Sequence, residues 1–320
     1  MRRIHAGLLA MALLGAVPAV LAYPERPIRM IVGQAPGGAT DIVARAFASR
    51  LSEELGQSIV VDNRAGAGGI IGAALVAGAV PDGYTLLIGT NGPIAISPHV
   101  VPKLQYDSLR DFAPVALFSE VPYVFVVHPS VKATTLRELI DLAKAQPGKL
   151  NFGSSGQAGT PHLCPELLKN LTGIDIVHVA YRGGTPAQVD LLAGRVQIYC
   201  AGFPSLFPHI KGGKLRALAV TAPKRAAIMP EVPTAAEAGV RGFEVSAWNG
   251  VLAPAKTPRP VIERLYAAIV KLSSRPEFEA ELKARGVEKR VLGPKEFHTY
   301  IKHESDRWAK VVKAGRITAE

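Results

Sequence analysis

The sequence predicts an α/β protein built in two lobes, and three observations carry that expectation. Apolar strand-like runs alternate with helix-period segments almost from end to end, the pattern of mostly parallel strands layered with helices. A chain of 320 residues is longer than a single compact core needs. Strand runs are also followed repeatedly by glycine turns that open helices, as at the carboxyl ends of strands in open α/β sheets.

In chain order, the first segment stands outside that fold. Met1 to His5 is short and basic, Ala6 to Leu21 is apolar, and Val20-Leu21-Ala22 has the small residues of a cleavage site. The apolar stretch is shorter than the roughly 20 residues that span a bilayer. A secretory signal peptide over 1–22, cleaved near Ala22, is therefore expected, with an exported mature protein. Arg2 and Arg3 leave with it, so the formal charge falls from +11 to +9 (35 basic against 26 acidic residues). The cations are spread along the chain, aromatics are few, and export removes the protein from nucleic acid, so that class of partner is excluded.

Strands are predicted over 28–33, 58–62, 84–89, 123–128, 150–154, 174–180, 196–201 and 215–221. Helices are predicted over 41–55, 69–79, 136–145 and 161–171, and after Trp248 over 260–273, 276–285 and 294–313. Some limits have a local mechanism. Thr135 and Glu138 form a capping box, with Thr135 as N-cap and Glu138 reaching back. Pro147-Gly148 stops that helix, and Gly56 stands where a C-terminal glycine belongs.

Four strand–glycine turns stand out: "GQAPGGATDIVAR" (33–45), "IGTNGPIAIS" (88–97), "NFGSSGQAGTPHL" (151–163) and "YRGGTPAQVDLL" (181–192). All but the second lead clearly into a helix. Glycine lets the backbone turn its N–H groups outward, and a helix N-terminus adds orphan donors and about half a positive charge. The chemistry on offer is anion binding. Nucleotide motifs fail: Gly33 and Gly38 have phosphate-loop spacing, but Ala39 replaces the lysine, and in Gly66–Gly72 the third glycine position is Ile71. Catalysis fails too. No nucleophile elbow surrounds Ser154 or Ser155. His162 is either a site-lining donor or simply packed, and Asp41 reads as a first-turn acid stabilising its helix.

Cys164 and Cys200 are the only cysteines. Two buried free thiols are the expected state. A disulfide is the alternative, which the distance between them decides. Neither they nor any His/Asp/Glu group has metal-ligand spacing, so no metal and no cofactor are expected.

The motifs "YPERPIRMIV", "APGGATDIVAR", "VVDNRAGAGGIIGA", "PDGYTLLIGT", "YDSLRDFAPVAL", "VHVAYRGGTPA", "GKLRALAVT" and "VPTAAEAG", followed by Trp248-Asn249-Gly250, occur in that order. With them the sequence resembles the Bug/TctC family of periplasmic solute-binding proteins of tripartite tricarboxylate transporters, over essentially the whole mature chain. The resemblance implies a Venus-flytrap fold that closes on a small carboxylate and delivers it to two membrane components, with no catalysis; a monomer is expected. It implies lobe one over 23–122 plus 248–320 and lobe two over 123–247. It places Gly37, Gly38, Ala39, Thr40 and Asp41 in the first-lobe ligand loop and Ser154, Ser155, Gly156 and Thr160 in the second-lobe loop. Thr90, Asn91, His162 and Ala201 complete the expected ligand set together with Arg182, which stands where relatives carry lysine and is either a partner for a distal carboxylate or a surface charge. Two departures bear on selectivity: Gln34 replaces a usual aromatic, and Tyr199-Cys200-Ala201 replaces a Met/Phe-Asp ending. A sensory module for a membrane kinase and, less favoured, an exported α/β hydrolase are the alternatives.

Overall fold

The computed structural model describes residues 23–315 and Ile317; the expected signal peptide lies outside the described residues. The chain begins with β1 (Ile28–Val32), α1 (Ala39–Leu55), β2 (Ile59–Asn63), a 3₁₀ turn at Ala67–Gly69 and α2 (Ile70–Ala77). β3 (Thr85–Gly89) and a π-helical turn at Gly92–Ile96 lead into the short α3 (Ser97–Val100). β4 (Phe112–Val127) passes into a second set of elements: α4 (Leu136–Ala145), β5 (Asn151–Ser154), α5 (Thr160–Thr172), β6 (Val177–Ala180), α6 (Gly184–Leu192), β7 (Ile198–Gly202), α7 (Phe203–Lys211) and β8 (Arg216–Val220). The return is made by β9 (Ser246–Pro254), followed by α8 (Arg259–Ser273), α9 (Pro276–Lys283), β10 (Glu288–Leu292) and α10 (Pro294–Gly315).

The strands lie in the order β2-β1-β3-β9-β4-β7-β5-β6, with β10 and β8 also paired to β4. β1 runs parallel to β2 and β3, and β5 runs parallel to β6 and β7. The two strands that join the lobes, β4 and β9, run antiparallel to their neighbours. Along β4 the partner changes: Pro122 pairs with Ser246 of β9, whereas Tyr123 pairs with Gly202 of β7. One long strand thus belongs to both lobes.

β4 starts well before the predicted 123. Pro114 and Pro122 hide its first half, because proline cannot donate to a ladder and reads as a strand breaker. The structure puts each proline where the ladder is interrupted, at the register shift between Pro114 and Ala116 and at the change of partner. β9 and β10 were not predicted. β10 is Glu-Lys-Arg-Val-Leu with its first three residues exposed, so it carries no apolar signal.

Local determinants hold elsewhere. β1 buries Ile28, Met30, Ile31 and Val32, a continuous run suited to a strand covered on both faces. α8 buries Val261, Ile262, Leu265, Ala268, Ile269 and Leu272 at helical spacing, each removal from water stabilising by roughly 2 kcal/mol. Gly56 adopts φ 69° at the end of α1. At α4, Glu138 N donates to Thr135 Oγ1 at 3.1 Å, but Glu138 Oε2 accepts from the amide and hydroxyl of Thr134, one residue earlier than a capping box requires.

The cysteines correct the free-thiol expectation. Cys164 on α5 and Cys200 on β7 form a disulfide, with Cα atoms 6.2 Å apart. α5 packs across β7, and only that long-range contact brings the two together.

Candidate functional site

The lobes are closed on one another. Thr185 Oγ1 of α6 donates to the Pro36 carbonyl at 2.5 Å across the cleft. A Cβ on Gly68 would stand 2.6 Å from the Gln157 carbonyl, and one on Gly183 would stand 2.6 Å from Ala35 Cβ. Gly183 also adopts φ 123°, so this contact admits glycine alone without strain.

Between the lobes lies a small cavity of about 50 Å3, lined by residues of both. Four helices point their N-termini at it. α1 starts after Gly38, α5 after Gly159, α6 after Gly183 and α7 after Gly202, and none of these glycines can supply a side-chain cap. A serine or aspartate N-cap would consume an orphan amide; glycine leaves it free for something in the cavity. Four such ends sum to about two positive charges. Among the described residues the lining holds no charged side chain. Its side-chain polar groups are Gln34, Thr40, Thr90, Tyr123, Ser155, Thr160, Gln188, Tyr199 and Ser205. Burial pushes the Tyr123 phenol well above its ordinary pKa, and burial together with Tyr123 does the same to Tyr199. Both therefore remain protonated donors.

Of the expected ligand set, the structure brings Gly38, Ala39, Thr40, Thr90, Ser155, Thr160 and Ala201 to the lining. Of the others, Gly37 and Arg182 are exposed, and the rest stand behind it. Asp41 is buried; its Oδ2 accepts from the Gly37 amide at 2.9 Å and from Arg45 at 3.0 Å, and its Oδ1 accepts from Asn63 at 2.8 Å. Burial raises its pKa, but the hydrogen bonds from Arg45, Gly37 and Asn63 outweigh this and hold the carboxyl below its usual value. Asp41 thus fixes the turn that carries Gly37 and Gly38. Asn91, fully buried, donates to Glu304 of α10 at 3.0 Å and accepts from the Trp248 amide at 3.0 Å, tying β3 to the start of β9. Ser154 and His162 lie under the β5–α5 loop, Gly156 is a buried residue of that loop, and Arg182 is exposed between β6 and α6.

Gly202, Tyr123, Gln188 and Ser205 escaped sequence reasoning. Gly202-Phe203-Pro204-Ser205 after an apolar run was a readable strand–glycine–helix signal, with proline in the first helical turn. Tyr123 was not readable, since an aromatic residue in a strand usually means core.

Two α/β lobes hinged on shared strands and closed on a cavity lined with donors define a solute-binding protein of the two-lobed periplasmic kind. The chain belongs to the TctC family: residues 43–317 match the model for the tripartite tricarboxylate transporter family receptor. It is 40% identical over 293 residues to protein BugT of Bordetella pertussis, covering 91% of this chain and 90% of that one. Among solved structures it resembles Rhodopseudomonas palustris Rpa4515 with adipate (TM-score 0.90, 37% identity, 92% and 99% of the two chains). It also resembles MatC of R. palustris with bound malate (TM-score 0.85, 32% identity, 91% and 100%). The family is one of receptors rather than enzymes.

Proposed function

We propose that this protein captures a small carboxylate in the interlobe cleft of the periplasm and delivers it, as a monomer, to two membrane components of a tripartite tricarboxylate-type transporter. Lobe one is 23–122 plus 248–320, lobe two is 123–247, and the mature chain begins after residue 22. One observation carries the reading: four glycine-capped helix N-termini face a single cavity whose lining has no charged side chain. A carboxylate there replaces its water with fixed N–H and O–H donors. A cation would meet four positive ends and no carboxylate. The adipate and malate held by the two R. palustris relatives support the class of ligand. No helix among the described residues is long and apolar enough to cross a membrane, in keeping with a separate receptor that meets its membrane partners.

Binding energy from both lobes favours the closed state, and release requires opening about β4 and β9. The test is a thermal-shift screen on protein freed of bound solute by unfolding and refolding with the disulfide intact. A dicarboxylate or related acid raises Tm, and calorimetry gives one site per chain. A panel of dicarboxylates, amino acids and aromatic acids that leaves Tm unchanged, beside a neutral or cationic solute that raises it, overturns the reading.

A further inference from the structure

Beneath the β5–α5 loop lies a cluster, buried at His162 and half-buried at His178, that the cleft does not use directly. His162 on α5 and His178 on β6 stack with ring centroids 3.9 Å apart and planes 12° apart, and Phe152 of β5 stacks on His178 at 4.9 Å. Both histidines bond to the loop. His162 Nδ1 accepts from the Ala158 amide at 3.3 Å. His178 Nε2 meets Ser154 Oγ at 2.6 Å, and that hydroxyl donates to the Gly156 carbonyl while accepting from the Gly156 amide. The loop so held is Ser155–Gly159, and Ser155, Gly159 and Thr160 form part of the cavity wall.

The loop needs holding. Ala158 has φ 57°, a left-handed conformation that a residue with a Cβ adopts only when its surroundings impose it. Pro161 supplies no amide in the first turn of α5, and Gly159 offers no side-chain cap. His162 is the third residue of α5, the position from which a capping-box glutamate reaches back, and its ring takes that place. We propose that His162 and His178 are positioning residues: His162 fixes the Ala158 amide, His178 fixes Ser154, and together they aim the Gly159 and Thr160 amides into the cleft.

The bonding assigns the His162 tautomer. His162 carries its proton on Nε2, because Nδ1 accepts. Ser154 Oγ and His178 Nε2 share one proton across 2.6 Å. The arrangement requires a neutral His162 ring, because its Nδ1 accepts. Burial, the adjacent His178 and Lys169 push His162 down to about 3, and burial and Lys169 push His178 down to about 4. Lys169, the charged group that bears on both rings, is itself paired with Glu166 at 2.9 Å.

This inference rests on the capture reading, but its test separates the two. His162→Phe keeps a stacking ring and removes the acceptor; His162→Asn restores an acceptor near Nδ1 without the ring. With adipate or malate as probe, whichever wild type binds more tightly, His162→Phe binds about tenfold more weakly, the weight of roughly one hydrogen bond. His162→Asn recovers to within about threefold. Nitrogen-15 histidine spectra of wild type at neutral pH show both rings neutral, with the His162 proton on Nε2. Wild-type affinity in His162→Phe, or a protonated His162 Nδ1, overturns the proposal. If wild type binds neither probe, the capture reading answers to its own panel, and amide exchange of Ala158 without ligand decides here: faster in His162→Phe and restored in His162→Asn, or the proposal fails. If His162→Phe does not fold, the wild-type His162 tautomer decides.

Discussion

Replacing Gly38 by aspartate separates helix stability from ligand capture. Gly38 has φ −72° and ψ 162°, the extended geometry of an N-cap, so a residue with a Cβ fits without left-handed strain. Its added Cβ would stand 3.2 Å from the Ala35 carbonyl and meet nothing else within 4 Å. The new carboxylate can accept from the first-turn amides of α1. As an N-cap, aspartate gains a few tenths of a kcal/mol over glycine, and repulsion from the carboxylate of Asp41 opposes it. The unliganded Tm therefore stays within about 2 °C of wild type. Binding is a different matter. For wild type, ligand at about 100 times its Kd adds ~2.7 kcal/mol, which in a chain of this size is roughly 5–10 °C. In Gly38→Asp the amides are already taken and the ligand meets a like charge. Two charge-assisted hydrogen bonds are lost, roughly 3–6 kcal/mol, which exceeds the whole increment. Scanning calorimetry with and without ligand should show the wild-type shift and less than about 1 °C in the variant. A full shift in Gly38→Asp would refute the assignment of the α1 N-terminus to the ligand.

Reducing the disulfide, or replacing Cys164 and Cys200 by serine, should cost about 3–4 kcal/mol for two cysteines 36 residues apart, or roughly 7–14 °C of Tm; an unchanged melt would show that the link contributes nothing. His162 and His178 have native pKa values of about 3 and about 4, below the unfolded value near 6.5, so between pH 4 and 6.5 the unfolded chain binds more protons. Stability therefore rises with pH across that window and falls on acidification, and the double variant His162→Phe/His178→Phe should show a flatter slope in urea titrations; an identical slope argues against the two rings as its source. Gly183→Ala places a methyl group against Ala35 at a position with φ 123°, which opposes closure. Its Kd should rise more than tenfold, and small-angle scattering should show a larger radius than wild type under the same excess of ligand; equal radii would refute the closure contact.

Local chemistry made much of this protein legible in one dimension. A strand, a glycine and a helix start are neighbours in sequence, so the turns around Gly38, Gly159 and Gly183 declared their orphan amides without any tertiary information. Gly56 after Leu55 and the cap at Thr135 were readable for the same reason.

What the sequence could not decide depends on pairings between distant segments. β4 is one strand because its first half pairs with β9 and its second with β7, partners more than 70 residues away that allow Pro114 and Pro122 to sit at gaps in the ladder. Asp41 and His162 spend hydrogen bonds inside the protein, Asp41 on Gly37, Arg45 and Asn63 and His162 on the Ala158 amide. The His162–His178 stack exists because β5 and β6 lie side by side with Phe152 opposite His178, and the disulfide exists because α5 crosses β7. Sequence determined the donors the backbone offers; only the folding of two lobes onto one another decided which face the cleft, because donors from four separate helices share a cavity only after long-range packing has placed them.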